Sequence, residues 1–157
     1  SDNTPEYLKE PMSRDFSINS LHISCNDFML YDFVNFGIKD LKDRKIQTIL
    51  SPEITLGDDL KRIFRAIYLA SKIDFDIDKG IVDYTNENKV DIKAFISNNI
   101  KFVTSIIDEA FDYNEDRALS NIEKMGLFKL IPLFGRYRDY IIKKDILNKY
   151  FGDLDEG

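Results

Sequence analysis

Two patterns of apolar and polar positions divide the chain. In the first fifty or so residues the apolar positions fall in short runs. Residues 20–25 and 28–33 read as strands, with Asn26-Asp27 placed for a two-residue hairpin turn. Residues 37–43 fit a single helical turn or a short helix. Residues 44–50 then alternate polar and apolar, which is the period of a third strand. Ser51-Pro52 closes this section, because proline lacks the amide hydrogen a ladder needs. Three such strands make an incomplete layer with exposed edges unless another segment or another chain pairs with them.

From Asp58 the period becomes helical. Ile63, Phe64, Ile67 and Ala70 form one buried stripe. Phe102, Ile106 and Ala110 repeat that spacing, widened by Val103 and Ile107. Asn114 or Glu115 opens a further helix that turns Ala118, Ile122 and Met125 inward and stops at Gly126. A last helix lines up Tyr137, Ile141, Lys144, Leu147 and Phe151. The expected fold class is α+β, mostly α: a short antiparallel strand section followed by an all-helical array.

Composition narrows the function classes. With 157 residues, 43% apolar and 13% aromatic, the chain can fill one ordinary domain or two small sub-domains sharing a core. No apolar run approaches the roughly eighteen residues of a membrane span, and the first residues have neither the basic flank nor the apolar stretch of a signal peptide. A lone cysteine, Cys25, excludes an internal disulfide and points to a reducing compartment. One histidine, His22, leaves no Cys/His zinc set, so both read as ordinary strand residues. The net charge of −6 argues against indiscriminate coating of nucleic acid. Basic residues nevertheless gather near the end, where Lys129, Arg136, Arg138, Lys143, Lys144 and Lys149 are opposed by Asp139 and Asp145. That stretch is either a solvated helix face or a grip on RNA.

Two phrases carry candidate chemistry. Asp58-Asp59-Leu60-Lys61-Arg62 stands where the first long helix begins, and residues three apart share nearly one face. A carboxylate accepts hydrogen bonds and a guanidinium donates them in a fixed plane, so Asp59 beside Arg62 presents a mixed edge able to read a nucleotide base. Arg65, one turn on, can reach a phosphate. Arg14-Asp15 pairs a bidentate phosphate binder with an acceptor for ribose hydroxyls, and Asn19 lies four residues beyond. On spacing alone, both phrases are first of all local charge pairs at helix starts.

Their order and interval change the picture. Residues 14–21, Arg-Asp-Phe-Ser-Ile-Asn-Ser-Leu, and residues 58–67, Asp-Asp-Leu-Lys-Arg-Ile-Phe-Arg-Ala-Ile, resemble the second and fourth signature motifs of the class II nucleotidyltransferases, the tRNA CCA-adding enzymes and bacterial poly(A) polymerases. Tyr31-Asp32-Phe33, the run from Gly37 to Lys42, the neck-like phrase from Ser71 to Asp78, Arg117-Ala118-Leu119 and the stretch from Lys124 to Pro132 extend the likeness over nearly the whole chain. Ser13, Leu60, Lys61, Tyr68 and Asp74 depart from the pattern, with Ser13 and Tyr68 replacing arginines and Asp74 a glycine.

The resemblance implies a head (palm) part at residues 1–56, neck helices at 57–113 and the start of an RNA-facing body at 114–157. It implies nucleotide contacts from Arg14, Asp15, Asn19, Asp59, Arg62 and Arg65, and RNA contacts from Arg136, Arg138, Lys143 and Lys144. The implied substrates are ATP and CTP, and the implied partner is RNA, above all a tRNA 3′ end. Magnesium would be held by a Gly-Ser and Asp-x-Asp motif that these residues do not contain. The expectation is therefore no catalytic or metal residue here, no activity from the chain by itself, and a place in the cytoplasm or an organelle matrix. A non-catalytic RNA-binding or interaction protein derived from the family, or one subunit of a split enzyme, are the alternatives.

Overall fold

Short elements come first in the structure, a computed structural model that describes residues 5–147 apart from the side chains of residues 10–12. Helix α1 (Glu6–Met12) and a 3-10 turn (Ser17–Ser20) lead to a hairpin of β1 (His22–Ile23) and β2 (Leu30–Tyr31). His22 faces Tyr31 and Ile23 faces Leu30 in antiparallel register. The turn is longer than the two-residue one expected at Asn26-Asp27. The Ser24 N–H donates to the Met29 carbonyl at 3.0 Å and the Phe28 N–H to the Ser24 carbonyl at 2.9 Å. Asp27 favours this longer turn by accepting from the Met29 N–H at 3.0 Å and the Tyr31 hydroxyl at 2.9 Å. Cys25 consequently lies exposed in the turn and not in a strand.

Helix α2 (Gly37–Asp43) forms where its sequence implies. Asp32 caps it from upstream, accepting the Gly37 and Ile38 N–H groups at 3.1 and 3.0 Å. Only glycine fits at 37, since a Cβ there would stand 2.8 Å from the Ser17 carbonyl and 2.9 Å from Leu21 Cδ2. Beneath this contact Asp40 is buried, and Ser17 Oγ donates to it at 2.5 Å. Burial pushes the Asp40 carboxyl above its ordinary pKa.

The third strand departs from expectation. Only β3 (Lys45–Ile46) enters a ladder, and its partner is β4 (Asp76–Ile77), in parallel, not the hairpin. The Arg44 and Ile46 carbonyls accept the Asp76 and Asp78 N–H groups, each at 2.9 Å. Thr48 makes only an isolated bridge to Phe16. The expected layer is thus two separate two-stranded ladders, the second tying the strand section to the neck phrase.

Ser51-Pro52 ends no element; it opens α3 (Pro52–Asp58), with proline in the first turn where its missing N–H costs nothing. Extended backbone at Asp59 then breaks the chain's course, so the long helix α4 (Lys61–Ile73) starts at Lys61 rather than at Asp58. Its buried residues include the expected Ile63, Phe64, Ile67 and Ala70. Asp74 closes it in the left-handed region at φ 58°, which accounts for glycine being usual at that position of the resembled motif.

Helices α5 (Lys79–Glu87), α6 (Lys89–Asn98), α7 (Ile100–Tyr113), α8 (Glu115–Lys124) and α9 (Gly135–Lys143) complete the array. Asn114 caps α8 through the Arg117 N–H at 3.0 Å, and Gly126 stands just beyond it at φ 65°. α7 packs along α4, and both meet α8. Helix α9 ends sooner than the apolar period suggests. Tyr137 and Tyr140 are buried against Phe111 and Ile141 is buried beside them on the helix, whereas Lys144 is exposed and Asp145 turns left-handed at φ 53°. Phe151 lies outside the described residues. One apolar core runs from Phe16 to Ile141, and the fold class is α+β, mostly α. Of the boundaries the resemblance implies, 56/57 falls inside α3 and 113/114 at the turn between α7 and α8.

Candidate functional site

The site is built around Asp15. Its carboxylate, 15% exposed, points from the segment after α1 at the outer face of α4. Arg65 Nη1 donates to it at 2.6 Å, and Arg62 Nε approaches at 3.1 Å. The Arg62 contact is electrostatic and not an aligned hydrogen bond, so its buried Nε–H has no hydrogen-bond partner among the described residues. The same guanidinium donates through Nη1 to the Thr55 carbonyl at 2.8 Å and lies 3.7 Å from Asp58. Arg62 is therefore held by the last turn of α3 on one side and by Asp15 on the other.

Asp59 has different partners. It accepts the Lys61 N–H at 3.0 Å, capping α4, and stands 3.5 Å from Arg65. Asp59 and Arg62 share the α3–α4 junction, where the Arg62 N–H donates to the Asp59 carbonyl at 3.1 Å, but their side chains form no ion pair with each other. The reason is the late start of α4: Asp59 sits ahead of the helix in extended backbone, so it does not occupy the face it would share with a residue three further on.

Two clefts adjoin at Arg14. Ser13, Arg14, Asp15, Asn19 and Arg65 line one of about 420 Å³. Ser13 and Arg14 also wall a second of about 510 Å³, completed by Leu50, Ile54, Thr55, Asp58 and Arg62. The structure brings Arg14, Asp15, Asn19, Arg62 and Arg65 together in these walls. Asp59 lines neither cleft and reaches the group through Arg65. Thr55 was not singled out in the sequence, and Asp58 entered only as part of its phrase, without a role; what would have marked them is the amphipathic turn of α3, hidden by reading Pro52 as a terminator. Such a wall offers guanidinium groups for phosphate and carboxylate or amide acceptors for hydroxyls.

The basic end is less uniform than its composition. Arg136 donates to Asp108 at 2.6 Å and lies 3.3 Å from Asp112, and Arg138 lies 3.4 Å from Asp139. Lys143 is exposed, and the Lys144 ammonium sits 5.5 Å from the Tyr140 ring. Among the described residues no group of three or more His, Cys, Asp or Glu converges as a metal cradle, and no helix is long and apolar enough to cross a membrane.

The site thus joins a short-stranded section, through Asp15, to the outer arginines of α4, with an all-helical array beyond. The Poly A polymerase head domain family matches residues 3–47. The tRNA nucleotidyltransferase cca1 of Schizosaccharomyces pombe is 29% identical over 125 residues, which are 79% of this chain and 25% of that protein. Poly(A) polymerase I of Escherichia coli O6:H1 is 43% identical over 65 residues, 41% of this chain and 14% of that one. The Bacillus stearothermophilus CCA-adding enzyme, solved in complex with CTP, shares the fold with a TM-score of 0.71 at 20% identity, over 82% of this chain and 32% of its own. The chain is similar to class II nucleotidyltransferases, and it spans a quarter or less of the length of these two curated relatives.

Proposed function

We propose that this chain forms the nucleotide-recognising and RNA-facing part of an RNA 3′-end nucleotidyltransferase, of the tRNA CCA-adding or poly(A)-adding kind. The observation that carries the reading is the Asp15 carboxylate held between Arg62 and Arg65, which joins the second and fourth signature phrases across one cleft. In this reading Arg14 and Arg65 take the triphosphate of ATP or CTP, because guanidinium groups match phosphate oxygens bidentately. Asp15 and Asn19 accept from ribose hydroxyls. Arg62 donates to the base edge and Asp59 accepts from it, once its cap on α4 and its contact with Arg65 are exchanged for the base. Residues 1–56, 57–113 and 114–157 serve as head part, neck and start of the body.

Magnesium, when bound, would supply activation of the RNA 3′ hydroxyl and stabilisation of the leaving pyrophosphate. Among the described residues no group of three or more His, Cys, Asp or Glu converges to hold it, and the role assigned here is to bind and orient the nucleotide. Equilibrium binding of the four nucleoside triphosphates to the chain tests the reading. Preference for CTP or ATP, lost in Arg14→Ala, supports it; equal binding of all four, unchanged by that substitution, counts against it.

A second reading, in which the chain pairs with a further segment or a second polypeptide, is favoured by the hairpin. Its Ile23, Phe28, Met29 and Leu30 are 68%, 82%, 58% and 45% exposed, and β1 and β2 each have one neighbour in their ladder.

A further inference from the structure

Helix α4 carries a second row of side chains besides its buried stripe. Lys61, Arg65, Tyr68 and Lys72 recur at i, i+4, i+7 and i+11, which places them on one face. On α7, Phe102, Ile106, Glu109 and Tyr113 recur at the same spacing. None of the eight is buried, and the two helices pack lengthwise, so the rows run side by side. The contacts between them set cations on rings. Lys61 Nζ is 5.6 Å from the Phe102 centroid, and Lys72 Nζ is 5.7 and 5.6 Å from those of Tyr68 and Tyr113. Tyr68 and Tyr113 meet edge to face at 5.8 Å. Between the rows opens a slot of about 370 Å³ with Phe16, Tyr68, Leu69, Phe102 and Ile106 as apolar walls. Asp15, Asn19 and Arg65 line both this slot and the first nucleotide cleft, so the two adjoin.

We propose that this α4–α7 seam is the track on which a single-stranded RNA 3′ end lies as it enters the nucleotide cleft. The proposal rests on the nucleotidyltransferase reading above and adds where the RNA runs. Interleaved cations and aromatic faces suit a single strand, because each unpaired base offers a face for stacking and each linkage a phosphate for a cation. A duplex keeps its base faces covered. Among the described residues Lys61 and Lys72 carry no ion pair, so their charges remain for phosphates. The carboxylates near the row are largely matched: Asp15 by Arg65, Asp108 and Asp112 by Arg136. Glu109 is the remaining carboxylate in the slot's lining. From Lys61 to Lys72 the track is about 16 Å long, enough for a few nucleotides. By contrast, Arg136 and Arg138 at the basic end are already committed to carboxylates.

Anisotropy of a short labelled oligoadenylate, titrated with the chain over a range of salt, tests the track. The single strand should bind more tightly than the same strand annealed to its complement. Lys61→Gln with Lys72→Gln should flatten the slope of log affinity against log salt by roughly 1.4, since each lost phosphate contact on a single strand removes about 0.7. Tyr113→Ser should weaken binding by roughly 5- to 150-fold, the loss expected for one stacked base. The residue is 52% exposed, so thermal unfolding should hardly move. Unchanged slope and affinity in these variants, with loss instead in Lys143→Gln and Lys144→Gln, would move the RNA to α9 and overturn the track. Equal binding of the duplex, or equally effective competition by polyglutamate, would also overturn it. CTP binding measured in parallel separates the two claims. A chain that binds CTP but no RNA has lost the track alone, and a chain that binds RNA along the seam but no nucleotide has lost the nucleotide reading alone.

Discussion

Asp15 and Arg65 stand fifty residues apart in the chain and 2.6 Å apart in space. Their contact anchors the segment after α1 to the outer face of α4, and the same carboxylate lies 3.1 Å from Arg62. A group that is 15% exposed and faces two guanidiniums serves stability and nucleotide binding together. Asp15→Ala should lower the unfolding free energy by about 1–3 kcal/mol, because Arg62 and Arg65 keep their desolvation without the anion that offsets it. Asp15→Asn should cost less while binding CTP no better. Urea unfolding reads the first effect as a lower midpoint at unchanged slope. An Asp15→Ala protein as stable as the parent would mean that the arginines relax to other partners.

Asp59 and Arg62 should separate under mutation, because each has its own structural duty. Arg62→Gln removes the donor that holds the Thr55 carbonyl, so it should lower both stability and base discrimination. Asp59→Asn keeps an acceptor for the Lys61 N–H and should leave stability within about 0.5 kcal/mol. It exchanges an acceptor for a donor on the edge offered to a base, so the preference among the four nucleotides should fall by roughly 5- to 150-fold. Competition binding with ATP, CTP, GTP and UTP gives the ratio. Discrimination retained in both variants would remove this pair from base recognition.

What the sequence disclosed follows from the range of each signal. The stripes of α4 and α8 and the stop at Gly126 are local and periodic, and they stand where the apolar spacing puts them, whereas α7 buries Val103, Ile107, Ala110 and Phe111 and leaves the expected Phe102 and Ile106 only partly covered. The β3–β4 pairing joins residues some thirty positions apart through two-residue strands, and no local pattern encodes a parallel partner of that kind. Pro52 misled for a definite reason: it suits both the end of a strand and the first turn of a helix, and the backbone bonds from Ile54 and Thr55 to the Ser51 carbonyl decide for the helix. At the site, the arginines and carboxylates singled out in the sequence lie near one another, but which pairs with which depended on α4 beginning at Lys61. The later start of the helix, at Lys61 rather than at Asp58, turned Asp59 from Arg62 toward Arg65.

Asp74 is held in a conformation that favours glycine, yet it binds two arginines. Arg117 donates to it at 3.1 and 3.2 Å, and Arg44 at 3.3 Å. Its side chain is 54% exposed, so each ion pair contributes about 1 kcal/mol or less and is screened by salt. Glycine would relieve roughly 1 kcal/mol of left-handed strain. Asp74→Gly should therefore lie within about 1 kcal/mol of the parent at low salt and match or exceed it near 1 M salt, where the pairs are screened. Asp74→Ala forfeits the pairs and keeps the strain, and should be less stable than both at low salt. Thermal unfolding at two salt concentrations checks the ranking; a large loss for Asp74→Gly at high salt would show that the carboxylate does more than pair.

Lys89 provides the pH dependence. It lies at the start of α6 with its ammonium on the Met125 carbonyl, and Asn86 beside it donates to the Lys124 carbonyl at 2.9 Å. Both clasp the end of α8. Closeness here is strict, because a Cβ on Gly126 would stand 2.7 Å from Asn86 Oδ1 and 3.0 Å from Lys89 Nζ. Burial lowers the Lys89 pKa from 10.5 to about 8. The folded pKa is thus below the unfolded one, so between about pH 8 and 10.5 the unfolded chain binds more protons than the folded chain. Stability contributed by this group must then rise with pH across that window and be smallest below it. Lys89→Met removes the titration along with the clasp. The stability of the parent minus that of Lys89→Met should accordingly grow as pH is raised from roughly 7 to 10, while tyrosines common to both proteins cancel in the difference. Urea unfolding of the two proteins at several pH values measures it. A difference that stays constant would mean that the Lys89 ammonium keeps its ordinary pKa and remains in water.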